Sequence, residues 1–173
     1  MKVFLIAGKA RSGKTKAAQL LKEILEKKHE SAVITEYSKY IKLFAKDLIG
    51  WDMVSEPKPR TFLQDMGEFV RKLKKDTYFV ERMKEDLEIY KHFTDNVIIS
   101  DVRMPKELDD LKEFKPIKIK VENNLASYDL TSKESAHNTE HALDNYDKFD
   151  YVIKNKSEKE MKQILEKIVK ENE

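Results

Sequence analysis

The sequence predicts an α/β fold, a mostly parallel sheet with helices on both faces. Three observations predict it. Five short apolar runs, "KVFLIA", "AVITE", "NVIIS", "PIKIKV" and "DYVIK", read as strands. Segments with apolar residues at three- and four-residue spacing separate them, the pattern of parallel strands joined by crossover helices. The first run ends in a glycine-bounded loop that opens directly into the first of these helical segments.

In chain order, "KVFLIA" is a strand bounded by Gly8. From about Lys14 to Lys28, Ala17, Leu20, Leu21, Ile24 and Leu25 recur at helical spacing, and "AVITE" is the second strand. Tyr37 to Ile49 is helical, with Tyr40, Ile41, Phe44, Ala45 and Leu48 on one face and Gly50 as its stop. "EPKP" breaks the chain before helices at about 60–74 and 76–92. "NVIIS" is the third strand, ending at Asp101, and a short helix starts after Pro105. "PIKIKV" is the fourth strand, and residues 123–137 are polar and patternless. A short helix, the strand "DYVIK" and a helix from Ser157, with Ser157 and Glu160 as a capping box, complete the chain.

The chain has 173 residues and no cysteine. That length suits a single domain with its own core. The lack of cysteine excludes disulfides and thiolate chemistry and fits a reducing, cytoplasmic compartment. Basic residues number 34 against 32 acidic, a formal net charge of +2, which gives no reason to expect a nucleic-acid binder. "MKVFLIAG" is too short for a signal h-region, and no apolar run approaches the roughly 18 residues of a membrane span.

Half of the chain's four glycines sit in "GKARSGKT", which matches G-x-x-x-x-G-K-[ST] at every position. The loop Gly8, Lys9, Ala10, Arg11, Ser12, Gly13 can aim backbone N–H groups at an anion, and the following helix adds its N-terminal partial charge. Lys14 would then reach the outer phosphates of ATP, and the Thr15 hydroxyl would hold Mg²⁺. A second, metal-facing carboxylate belongs at the end of a neighbouring strand, which "NVIISD" supplies as Asp101. Asp95 precedes the same strand and falls at the wrong end of the sheet.

Only five arginines occur, so each is worth weighing as a phosphate fork. Arg103 follows Asp101 by two, just past a strand end where ligands of such sheets bind, although a loop salt bridge is the plainer reading. Arg60, Gln64, Gly67 and Arg71 share a helical spacing. The plainer reading is a solvated face, but a glycine inside a helix points to close approach. Arg82 reads as surface. Tyr37 and Trp51 are candidates to stack on a base, although an aromatic stripe with Tyr40 and Phe44 also suits a core. His137 and His141 are four apart, but no third zinc ligand accompanies them.

Taken together, "GKARSGKT", "YIKLFAKDLIGWD", "RTFLQDMGEFVR", "VIISDVRMPKE" and "HNTEHALDNYDKFDYVIKN" resemble the deoxynucleoside monophosphate kinase family of bacteriophage and bacteria, a relative of phosphomevalonate kinase. The resemblance runs nearly end to end. It implies a nucleoside monophosphate kinase-like fold with a five-stranded parallel sheet. A core of about 1–36, 95–122 and 138–173 would carry a helical acceptor-binding insertion at about 37–94 and a lid at about 123–137. It implies transfer of the γ-phosphoryl group of ATP, with Mg²⁺, to a nucleoside monophosphate. Lys14 and Thr15 match the donor side, Arg60, Gln64, Arg71 and Arg103 the acceptor side, and Glu107 the acidic position of "D-V-R-x-x-x-E". Such kinases carry arginine around the lid, whereas residues 123–137 have none. The nearest replacement cation in the sequence is Arg11, which a solvent-exposed filler role in the loop suits equally, with Lys133 as the alternative.

Overall fold

The computed structural model describes residues 1–123 and 138–173. Five strands form one all-parallel sheet in the order β2-β3-β1-β4-β5: β1 (Lys2–Ala7), β2 (Ala32–Thr35), β3 (Asn96–Val102), β4 (Ile117–Glu122) and β5 (Tyr151–Lys154). The central strand β1 pairs Val3 with Val97 on one side and Phe4 with Ile117 on the other.

Helices cover both faces, so β1 is buried from Val3 to Ala7 and reads as a continuous apolar run. Its alternate residues feed two cores. Phe4 and Ile6 pack with Leu21 and Leu25 of α1 (Lys14–Lys27) and with Met161 and Leu165 of the C-terminal helix. Val3 and Leu5 pack with Ile41 of α2 (Lys39–Ile49) and with Phe79, Met83 and Leu87 of α4 (Tyr78–Tyr90). The amphipathic α3 (Arg60–Leu73) completes the long excursion between β2 and β3. Short helices α5 (Pro105–Asp109) and α6 (Asn138–His141) follow β3 and precede β5, and α7 (Glu158–Glu171) ends the chain.

The expected element boundaries hold to within a few residues. Ser157 caps α7, its Oγ accepting the Glu160 N–H at 3.2 Å. Gly50 ends α2 in the left-handed region at φ 68°. One expectation needs correction. The stripe on α2 is only half covered: Ile41 and Ala45 are buried, while Phe44 and Leu48 are 48% and 65% exposed. Helical spacing says which residues share a face, not how much of that face a neighbour covers.

The loop after β1 has little room. A Cβ on Gly8, at φ 151°, would stand 2.4 Å from the Val121 carbonyl oxygen. One on Gly13, at φ 102°, would stand 2.4 Å from Asn155 Nδ2, which donates to the Ser12 carbonyl at 3.0 Å. Both glycines are therefore required by conformation and by contact with the ends of β4 and β5. No helix among the described residues is long and apolar enough to cross a membrane.

Candidate functional site

Parallel α/β sheets open at the carboxyl ends of their strands, where loops diverge. Here that opening is a cavity of about 500 Å³. The loop after β1, the segment Glu36–Ser38 after β2, the end of β3 and one face of α3 all line it. Eight basic side chains face it (Arg11, Lys14, Lys16, Lys42, Lys58, Arg60, Arg71 and Arg103) against four carboxylates (Glu36, Asp101, Glu107 and Glu140). The whole chain carries a net charge of only +2, so positive charge is concentrated here.

The loop supplies one wall. Gly13 is the left-handed cap of α1, and Lys14 and Thr15 open the helix beside the cavity. The Lys14 ammonium folds back to donate to the carbonyls of Gly8 at 2.7 Å and Lys9 at 2.6 Å. Burial, then the Arg103 guanidinium, pushes the Lys14 pKa down to about 7. Ala10 and Arg11 line the cavity, Arg11 with a left-handed backbone at φ 58°. Ser12 is buried behind the loop, its N–H donating to the Lys9 carbonyl at 3.2 Å. Lys9 points aside to Asp144 at 2.8 Å.

The opposite wall is α3. Arg60, Gln64, Gly67 and Arg71 all reach the cavity, as their spacing predicts. A Cβ on Gly67 would lie 3.2 Å from Ile41 Cδ1, so glycine lets α3 approach α2 closely. The Arg71 guanidinium sits over the Phe79 ring at 5.1 Å and reaches Glu107 at 3.5 Å. Glu107 is buried and accepts the N–H groups of Arg103 at 2.7 Å and Met104 at 3.0 Å, capping α5. Burial pushes its carboxyl up to about 7, against the pull of the Arg103 N–H. Tyr37 is buried with its hydroxyl donating to the Glu107 carbonyl at 2.8 Å, and burial holds its pKa well above the usual value.

Asp101 stands at the end of β3, as expected, and lines the cavity. Each of its oxygens accepts a backbone N–H, from Tyr37 at 2.7 Å and from Ser38 at 2.9 Å. The same carboxylate thus anchors the entry to α2. Asp95 lies at the far end of β3, tied to Ser31.

Trp51 departs from the sequence reading. It does not line the cavity; its indole N–H donates to the Ser55 carbonyl at 2.9 Å, closing the exposed turn that follows α2. Arg82 is a surface residue paired with Glu85 and set over the Tyr40 ring. His141 pairs with Asp144 at 3.0 Å. His137, Lys133 and all of the lid segment but Asn123 lie outside the described residues.

Sequence reasoning missed five charged cavity residues: Lys16, Glu36, Lys42, Lys58 and Glu140. Glu36 and Lys42 form an ion pair at the end of β2. Burial works against the Glu36 carboxylate, but Lys42 and Ser38 outweigh it and hold its pKa below the usual range. Lys58, inside the "EPKP" break, lines the cavity, and burial followed by Lys42 lowers its pKa. Glu140 accepts the Ala10 N–H at 2.8 Å and forms an ion pair with Arg103. The one available signal was that a carboxylate sits in "HNTEH", a stretch read only for its histidines.

The fold and the cavity define a class: a parallel α/β protein whose glycine loop, at the carboxyl end of the central strand, opens a cation-rich cavity. No protein-family model matches the chain, and a search of curated proteins finds no match.

Proposed function

We propose that this protein is a P-loop kinase that transfers the γ-phosphoryl group of ATP to a (deoxy)nucleoside monophosphate, giving the diphosphate and ADP. The observation that carries the reading is that one cavity joins Lys14 and the glycine loop to Arg60, Arg71 and Arg103. The loop N–H groups, the N-terminus of α1 and Lys14 bind the triphosphate. Arg103, Arg60 and Arg71 receive the acceptor phosphate from the other side, as planar forks suited to its oxygens. An acceptor phosphate oxygen attacks the γ-phosphorus in line; that P–O bond forms as the bond to the β-phosphate oxygen breaks, and ADP leaves. The acceptor phosphate is already nucleophilic, so no general base is needed, and catalysis is positioning plus charge neutralisation. Arg11 and Lys58, both at the cavity, supply cations for the moving group.

Magnesium bound with nucleotide phosphates needs few protein ligands. Thr15 and Asp101 both line the cavity and are the residues to hold it, Asp101 through the lone pairs left beyond its two backbone hydrogen bonds. The ion would supply charge neutralisation at the outer phosphates.

A second reading is a kinase for another phosphorylated small molecule, such as phosphomevalonate. The Glu36, Lys42 and Lys58 group favours it, because these charges exceed what one acceptor phosphate requires. A switch that only hydrolyses ATP has no use for the second group of cations on α3. ADP formation from ATP, measured with and without each member of a monophosphate panel, separates the readings. Acceptor-dependent ADP is expected for a nucleotide. Phosphomevalonate alone raising the rate selects the second reading, and a rate that no acceptor changes contradicts both.

A further expectation concerns protons. A polyphosphate beside Lys14 favours its charged form and raises its pKa from about 7 back towards 10.5. Binding between those two values therefore takes up a proton, whereas below pH 7 the ammonium is already formed. Calorimetry of ATP binding at pH 8 in buffers of different ionisation enthalpy should report this uptake, and Lys14→Met should remove it. Equal heats in all buffers contradict the assignment.

A further inference from the structure

Glu140 joins the two halves of the cavity. Its Oε2 accepts the N–H of Ala10 in the glycine loop at 2.8 Å, and its Oε1 pairs with Arg103 Nη1. Glu140 and Ala10 are 6% and 4% exposed, so their contact is withdrawn from water, while the Arg103 arm is only partly buried. A carboxylate so buried is costly unless both oxygens are matched, and here both are. It also places negative charge where an anion-binding cavity gains nothing from it, so anion binding does not explain it. Alignment does. A guanidinium offers five N–H donors in a planar fork, and an edge held by a carboxylate leaves others for an anion in the cavity that Arg103 lines. Asp144, four residues on, ties Lys9 of the same loop at 2.8 Å, so one segment grips the loop twice.

We propose that Glu140 is a positioning residue: it fixes the Arg103 guanidinium against the glycine loop and so sets the separation of the two anions the cavity holds. The proposal rests on the kinase reading for the identity of those anions.

The test uses the full chain as wild type, Glu140→Gln, Glu140→Ala, Arg103→Ala and the double variant Glu140→Ala with Arg103→Ala. Calorimetry gives Kd for inorganic pyrophosphate, which probes the loop, and for deoxynucleoside monophosphates, which probe the acceptor side; kcat and KM are measured alongside. Glu140→Ala is expected to weaken monophosphate binding and lower kcat about tenfold or more, as loss of an orienting partner does. The pyrophosphate Kd should move less than about threefold, because the remaining loop N–H groups and Lys14 still bind it. Glu140→Gln should fall between, since its amide oxygen still accepts the Ala10 N–H but lacks the charge for Arg103. The double variant should be no worse than Arg103→Ala, the signature of action through one partner.

Tighter monophosphate binding in Glu140→Gln overturns the proposal, because the carboxylate is then a competing anion. Additive losses, unchanged constants, or loss of both probes together with a lower denaturation midpoint overturn it equally. If the wild type binds monophosphates in the expected pattern but turns none over, the kinase reading fails while the Glu140 assignment stands. A wild type that binds no monophosphate overturns both.

Discussion

Lys14→Ala is expected to abolish phosphoryl transfer while leaving the protein folded. Lys14 is the cation that the glycine loop encloses, at hydrogen-bond distance from the Gly8 and Lys9 carbonyls. In the proposed reaction its loss takes away the fixed charge on the outer phosphates, and a loss of about a thousandfold or more in kcat/KM is expected. Its folded pKa, about 7, lies below the unfolded 10.5, so the buried ammonium opposes folding in full below pH 7 and ceases to do so above 10.5. The denaturation midpoint of Lys14→Ala at pH 6 should therefore equal or exceed that of the wild type. Normal turnover by the folded variant would contradict the loop's role.

Arg103→Lys is expected to fail almost as completely as Arg103→Ala. Arg103 pairs with Glu140 and still lines the cavity, a geometry that needs a planar fork. A lysine ammonium is a point charge and cannot serve both partners with fixed orientation. The acceptor kcat/KM should fall about a hundredfold, as loss of one preorganised donor does. ATP affinity should change little, because the loop and Lys14 remain. An equal loss of ATP affinity would put Arg103 on the donor side.

The local patterns carried most of the fold. Apolar runs located five strands, and Ser157 and Gly50 marked helix ends, because those signals lie within a few residues of one another. The glycine loop was legible for the same reason. Arg60, Gln64 and Arg71 were legible as a set because a helix places such residues on one face. What was not legible depends on contacts between distant segments. Glu140 meets Ala10 across 130 positions, and no periodicity encodes that. Lys58 lies in a break with no regular spacing to aim it. Trp51 looked like a base platform by type alone, yet a tight turn claims its indole N–H. Asp101 was located correctly by strand position, but its hold on the entry to α2 follows only from where Tyr37 and Ser38 pack.

The central claim is that one cavity holds a donor and an acceptor phosphate together. Binding of a series of adenosine–deoxynucleoside pentaphosphates, with the two nucleosides joined through their 5′ oxygens, tests it most directly by calorimetry without any turnover. One member should bind about a hundredfold or more tighter than ATP, because linking two occupied subsites makes the second contact intramolecular. Arg71→Ala or Arg103→Ala should erase that advantage while leaving ATP binding in place. Affinities no better than ATP for every member, indifferent to both arginines, would contradict the account.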